Sequence, residues 1–435
     1  MLKMPQEDSI QNRIAKINQS KPGPGFFQLI RYAVLVVTLL ASGVLIFFNL
    51  RRILFILTVL FSKKKGERKG EISENLNPWP EILILIPCRD EEDMIPGLYE
   101  SICCLDYPKD KAHVVLINDG STDNSSTLME QYTQCTHGWH ALNLKKNVGK
   151  SAALNMAIER YPVGEIIYVF DADHRPKPDA IKLAVRYFDD PLVAGVSGQT
   201  IPLNPLCSPV SYYETVEASV HQMVTMRAKD RLSLAPALLG SNCGYRREAL
   251  IKCGGFRNGV FLEDTDLTLA FYRAGYKTRF VEEAISYHQV PKDIDGYLKQ
   301  HSRWARGFNE VAKQHITGII KNKQMSLLLR TELLMFSAGY VDRVALFLLI
   351  FIAGLSKLFP RLPRVPRKLL YFTLLSPFIQ IAGLFLEQKS SLVMWLRLPF
   401  VGAFFVLDIY VAIRAMINTI LRRPPVWTKT KRIRI

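Results

Sequence analysis

The sequence predicts an α/β domain, built on a parallel sheet covered on both faces, inserted between membrane-spanning helices. Three observations carry that expectation. Apolar residues make up 49% of the 435 and gather towards the two ends of the chain. The stretch between them alternates short apolar runs with amphipathic helical patterns. Three of those runs end in loops crowded with carboxylates.

The first apolar stretch, residues 32–50, reads YAVLVVTLLASGVLIFFNL and holds nineteen residues without a charge. A helix of that length crosses about 30 Å of hydrocarbon. It follows a polar segment (1–31) and meets Arg51 and Arg52 directly, which fits a retained signal anchor (32–61) rather than a cleaved leader. A basic linker (62–77) containing KKKGERKG then places the following segment in the cytosol by the positive-inside rule. Further apolar stretches at 344–359, 369–386 and 392–413 define a C-terminal membrane region (344–421). Before it, Arg330, Glu332, Asp342 and Arg343 make residues 311–343 amphipathic and suited to the membrane interface. Three crossings after a cytosolic domain would place the basic tail 422–435 outside. With residues 325–359 partly along the interface instead, both the basic run 361–368 and the tail are cytosolic, which is the preferred arrangement.

The formal charge of +17 sits largely beside these membrane segments, which points to anionic lipid headgroups and away from nucleic acid. Seven cysteines without a CxxC spacing read as reduced residues of a cytosolic domain.

The intervening domain covers residues 78–310. Strands are expected at 82–86, 113–117, 166–170 and 193–196, and helices at 94–104, 124–134, 151–160 and 179–188. In open α/β sheets, ligands bind beyond the carboxyl ends of the strands. Here those ends carry PCRDEED, NDGSTDNS and DADH, so three acidic loops converge on one edge.

Each motif has a chemical and a structural reading. Asp171 and Asp173, with His174 adjacent, can hold Mg²⁺ or Mn²⁺ against a diphosphate. Alone, an Asp-x-Asp pair is more often a solvated turn; a buried strand end makes metal binding the better reading. Asp119 in INDGSTD points across the strand ends, although Ser121 or Asp123 also suits a helix cap. Lys150 precedes a helix, where phosphate meets both its charge and backbone N–H groups, or it is a surface lysine. Asp264, next to Glu263, is either the cap of a helix over 265–274 or a general base for an acceptor hydroxyl. Gln300, Arg303 and Trp304 offer an amide, a guanidinium for phosphate and an indole for a sugar face, on what is otherwise an ordinary helix.

The succession IPCRDEE, INDGSTD, GKSAALN, DADH, GSNCGYRRE, LEDTDL and QHSRWARG resembles the inverting, membrane-bound family-two glycosyltransferases. It is closest in pattern to their processive branch, which holds cellulose, hyaluronan, poly-N-acetylglucosamine and mannan synthases. The resemblance covers about residues 81–307. It implies a glycosyltransferase-A (Rossmann-like) fold, a nucleotide-diphosphate sugar donor, plausibly a UDP-sugar, and a growing glycan as acceptor. It also implies roles: Arg89, Glu91 and Asp119 around the nucleoside, Lys150 and Asp171 on the diphosphate, and Asp171, Asp173 and His174 on the metal. Asp264 becomes the base, and Gln300, Arg303 and Trp304 hold diphosphate and acceptor. VWTKTKR resembles a gating segment, with Trp427, Thr430 and Arg432 as candidates. Arg89-Asp90 stands where many relatives carry Tyr-Asn.

The few spans available for a polymer path imply a homo-oligomer or an export partner. Transferases acting on polyprenyl-phosphate or other lipid acceptors share the Asp motifs but usually lack Gln-x-x-Arg-Trp. A non-catalytic nucleotide-sugar sensor would have no need of Asp264.

Overall fold

A computed structural model describes residues 24–61 and 79–423. Its centre is an eight-stranded sheet of order β3-β2-β1-β4-β7-β6-β8-β5. The strands are β1 (Ile82–Cys88), β2 (Ala112–Asp119), β3 (Trp139–Leu144), β4 (Ile166–Val169), β5 (Arg175–Pro176), β6 (Val193–Pro202), β7 (Cys243–Arg246) and β8 (Lys277–His288). Strand β1 and the run Val114–Ile117 of β2 are apolar throughout because both faces are covered. Alternate side chains sort to opposite sides. Ile82, Ile84, Ile86, Val114 and Leu116 enter one core, and Leu83, Leu85, Val115 and Ile117 enter the other.

The expectation of a parallel sheet holds for one half only. Strands β3, β2, β1 and β4 are parallel, whereas β7 runs antiparallel to both β4 and β6, and β5 antiparallel to β8. The sheet is therefore mixed. Strand β7 reads CGYR and β8 reads KTRFVEEAISYH, so neither carries the continuous apolar run that marks a buried parallel strand.

Helices on the sheet are α2 (Ile95–Cys103), α3 (Ser125–Cys135), α4 (Lys150–Arg160), α5 (Ala180–Val185), α8 (Arg247–Lys252) and α9 (Glu263–Arg273). Helices α6 (Pro209–Val220), α7 (Arg227–Arg231) and α10 (Ile294–Lys321) join this domain to the apolar helices. Helix α10 runs unbroken through residue 310, past the boundary expected for the catalytic segment.

Four further elements follow: α11 (Leu327–Ser337), α12 (Val341–Leu358), α13 (Arg367–Glu387) and, after a short α14 (Leu392–Leu396), α15 (Leu398–Ile420). Among the described residues, three helices are long and apolar enough to span a membrane: the N-terminal α1 (Pro24–Phe61), α13 and α15. Helices α11 and α12 pass the same test only as a pair bent by 69°, which can be read as a broken span or a re-entrant segment. Gly339 lies in that bend against Phe308 of α10, where a Cβ would come within 3.0 Å of the ring.

Ion pairs tie the apolar helices to the domain. Arg51 of α1 forks onto Glu332 through two 2.7 Å hydrogen bonds, and Lys229 of α7 reaches the same carboxylate at 2.9 Å. Arg52 pairs with Asp342 at 2.6 Å. A buried charge persists only with such partners, because desolvation otherwise costs several kcal/mol.

Candidate active site

The loops after β1 and β2 are laced together. Asp90 adopts φ 53°, and its carboxylate accepts from the backbone and hydroxyl of Thr122 at 2.6 and 3.1 Å. In return Ser121 accepts from the Asp90 N–H, and Ser125 from the Glu91 N–H. Asp90 therefore braces the two loops, and Arg89 and Glu91 line the cavity on either side of it.

Asp119, buried at the end of β2, accepts from Asn147 Nδ2 at 2.6 Å, Val148 N–H at 2.7 Å and Gly149 N–H at 3.0 Å. Gly120 must be glycine: its φ is +66°, and a Cβ would lie 2.5 Å from the Asn147 nitrogen. This junction fixes the loop that delivers Lys150 at the first turn of α4.

Lys150 is the centre of the charge cluster. Its Nζ lies 2.9 Å from Asp171 Oδ1, 3.1 Å from Glu263 Oε1 and 2.8 Å from the Gly240 carbonyl. Burial opposes its charge, but the Asp171 and Glu263 carboxylates outweigh that and hold it firmly protonated. Asp264, at the start of α9, is pushed up to about 7 by desolvation and by the neighbouring Glu263 charge. That is the range a general base needs at neutral pH.

Asp173 and His174 are buried beside Asp171, and one ligand atom from each of the three falls within 4.8 Å of the others. The Asp171 N–H donates to Ser241 Oγ, and His174 Nδ1 meets Ser286 Oγ at 3.0 Å, so both are oriented from behind. Two carboxylates and an imidazole at this spacing fit a hard divalent cation such as Mg²⁺ or Mn²⁺.

Across the cavity, α10 presents Gln300, Arg303 and Trp304. The helix comes close because Gly307 sits against Leu262, where a Cβ would be 2.6 Å from Cγ. Trp304 is half-buried, with its ring 4.8 Å from that of His301. Eleven sequence-derived candidates fall in the described residues, from Arg89 to Trp304, and all of them line one cavity of ≈ 1090 Å³. Its wall continues to Phe48, Pro377, Val401 and Asp408 in the apolar helices. Trp427, Thr430 and Arg432 lie outside the described residues.

Sequence reasoning missed the polar group beneath Trp304. Glu214 and Glu217 of α6 approach His301 Nε2 at 3.1 and 3.5 Å, and Asp408 of α15 approaches Nδ1 at 3.5 Å. One signal was available: Asp408 is an acid inside an otherwise apolar stretch, which marks a buried polar partner or a functional site.

Residues 166–415, more than half of the chain, match the family model described as glycosyl transferase family group 2. A probable glycosyltransferase of Bacillus subtilis is 27% identical over 260 residues, covering 59% of this chain and 61% of that protein. A poly-β-1,6-N-acetyl-D-glucosamine synthase of Staphylococcus epidermidis is 26% identical over 247 residues, covering 57% of this chain and 59% of that protein. The chain thus spans about three-fifths of the length of these curated relatives. Among solved structures, a mannosyltransferase from Pyrobaculum calidifontis in complex with GDP-Man and Mn²⁺ shares the fold. Its TM-score is 0.62 at 18% identity, over 91% of this chain and 99% of that one.

Proposed function

The chain belongs to glycosyl transferase family group 2, and from that premise we propose that it extends a glycan at the membrane, using a nucleotide-diphosphate sugar with inversion at the anomeric carbon. The observation that carries this reading is the continuity of the cavity from Asp119 and Asp171, past Asp264, to Trp304 and the apolar helices.

In this reading Arg89, Glu91 and Asp119 bound the nucleoside end, and Lys150 meets the diphosphate. Asp171, Asp173 and His174 would hold Mg²⁺ or Mn²⁺, whose charge offsets that developing on the leaving phosphates. Asp264 takes the proton of the acceptor hydroxyl as its oxygen bonds to the anomeric carbon. The carbon–oxygen bond to the diphosphate breaks on the opposite face, which inverts the centre and gives a β-linkage from an α-linked donor. Gln300 and Arg303 act beside the diphosphate. Trp304 supports the acceptor pyranose through its apolar C–H face. The catalytic domain faces the cytosol, with a homo-oligomer or an export partner completing the path for a long product.

The test is transfer by purified membranes from a panel of radiolabelled nucleotide sugars, with the product sized. Polymer from one donor, lost on chelation, supports the reading. A product limited to one sugar on an organic-extractable lipid would replace it with the lipid-acceptor reading. Undiminished transfer in excess chelator would remove the metal from it.

A further inference from the structure

His301 is completely buried, one residue after Gln300 and three before Trp304 on α10. Its two ring nitrogens face carboxylates on opposite sides. Nε2 lies 3.1 Å from Glu214 and 3.5 Å from Glu217, both on α6, and Nδ1 lies 3.5 Å from Asp408 on α15. A neutral imidazole has one N–H and would turn a lone pair towards one of these acids. Only the imidazolium presents an N–H to both sides: Nε2 hydrogen-bonds Glu214, and Nδ1, which has no hydrogen-bond partner among the described residues, faces Asp408 as an ion pair.

Asp408 is also held by other groups, whereas Glu217 Oε2 has no hydrogen-bond partner among the described residues. Tyr213 of α6 and Tyr297 of α10 donate their hydroxyls to Asp408, and Arg343 of α12 stands 3.8 Å from the same carboxylate. Tyr297 also stacks on the imidazole at 4.1 Å, and the Trp304 ring lies tilted against it at 4.8 Å.

We propose that His301 is a positioning residue: as a cation it pins α6, α10 and α15 together under Trp304 and so holds the acceptor platform in place. The proposal rests on the acceptor reading of Trp304 given above. It adds that this chain's acceptor step responds to alkaline pH through a residue that touches neither sugar.

Burial by itself pulls the His301 proton affinity down, but Glu217 and Glu214 outweigh it and push the group up to about 9. Desolvation raises the Glu217 carboxyl as well. Because the folded imidazolium is favoured, its stabilisation is fully present below about pH 6.5 and is lost as pH rises through about 9. The raised Glu217 takes up a proton within that window, so the hydrogen bond to Glu214 and the Asp408 ion pair carry the pin at neutral pH. Loosening it releases the face of α10 that carries Gln300 and Trp304, while the Lys150 cluster lies on other elements and is untouched.

Two substitutions separate charge from shape. His301→Gln keeps a polar side chain without the charge; His301→Arg carries a charge at every accessible pH. With full-length protein in lipid nanodiscs, transfer and donor hydrolysis are measured from about pH 6 to about pH 10. Expected are an alkaline fall in transfer by the parent, a flattened alkaline limb in His301→Arg, and an acceptor KM raised on the order of tenfold in His301→Gln with donor KM unchanged. A parental KM and pH limb in His301→Gln would overturn the proposal. So would an arginine variant as impaired as the glutamine one.

If His301→Gln does not fold, Asp408→Asn removes one of the three carboxylates and must move the alkaline midpoint to lower pH; an unmoved midpoint also overturns the pin. Finally, Mn²⁺ binding is counted in an Asp171→Asn, Asp173→Asn double variant. A stoichiometric ion that disappears with Glu217→Gln would assign this cluster to a cation and displace the imidazolium. Trp304→Ala tells the two ideas apart: an unchanged acceptor KM there removes the platform, whereas the pH limb judges His301.

Discussion

The two sides of the cavity are built by different means. The proposed donor side hangs from the carboxyl ends of parallel strands, where loops within about thirty residues of each other are joined through backbone N–H groups, as Val148 and Gly149 donate to Asp119. The proposed acceptor side is assembled from helix faces far apart in sequence. Tyr213 reaches Asp408 across 195 positions, and Arg51 reaches Glu332 across 281. A backbone cradle tolerates side-chain change around it, whereas a helix face held by buried ions depends on every partner. The donor side should therefore respond to substitution through chemistry, and the acceptor side through geometry and stability.

The largest expected effect tests the chemistry. Asp264→Asn should lower turnover by about 10²–10⁴ while leaving nucleotide-sugar binding nearly intact. In the parent, turnover should climb as pH rises through about 7, because the base acts only when ionised and burial has raised it to that range. The asparagine variant should lack that limb. If it turns over like the parent, Glu263 is the next carboxylate to examine.

Glu332→Gln sharpens the contrast from the other side. Removing one member of a buried charge cluster costs about 3–5 kcal/mol, since Lys229 and Arg51 are left facing a neutral amide. Denaturant unfolding should record that loss, while turnover per folded molecule stays within about twofold. A large drop in turnover at unchanged stability would erase the distinction between the two sides.

Trp304→Ala should weaken the acceptor far more than the donor and leave hydrolysis or short products. As the ring is only half-buried, the stability cost should fall below the about 3–5 kcal/mol of a core tryptophan. A stable variant that still makes full-length product would break the platform idea.

The smallest effect belongs to Gly240→Ala. The residue has φ +74°, and a Cβ would lie 2.9 Å from Asp264 Oδ2, so alanine both strains the loop by about 1–2 kcal/mol and displaces the base. Transfer should fall by roughly tenfold or more with donor affinity little changed. An unaltered rate would show that Asp264 has slack.

The same contrast explains what could be read from the sequence. Strands 82–86 and 113–117 are continuous apolar runs followed by acidic loops, so the donor edge, with Asp119, Lys150 and Asp171, was legible locally. Strands β7 and β8 were not, because one is four residues long and the other is interrupted by charges at both exposed and half-buried positions. Trp304 was visible through its motif spacing. Glu214, Glu217 and His301 were invisible as a group, since nothing in a helix records which distant helix it will meet. The bend at 338–340 was equally hidden: an amphipathic pattern over 311–343 gave no sign that Gly339 would lie against Phe308.

The bridge from α1 to Glu332 also has a consequence for biosynthesis. Arg51 and Arg52 leave the ribosome 281 and 290 residues before Glu332 and Asp342 exist. At about 5–20 residues per second, that interval is on the order of half a minute. During it both guanidinium groups lack these carboxylate partners. The packing of α1 against α11 and α12 through these pairs therefore forms late, after most of the chain has been made.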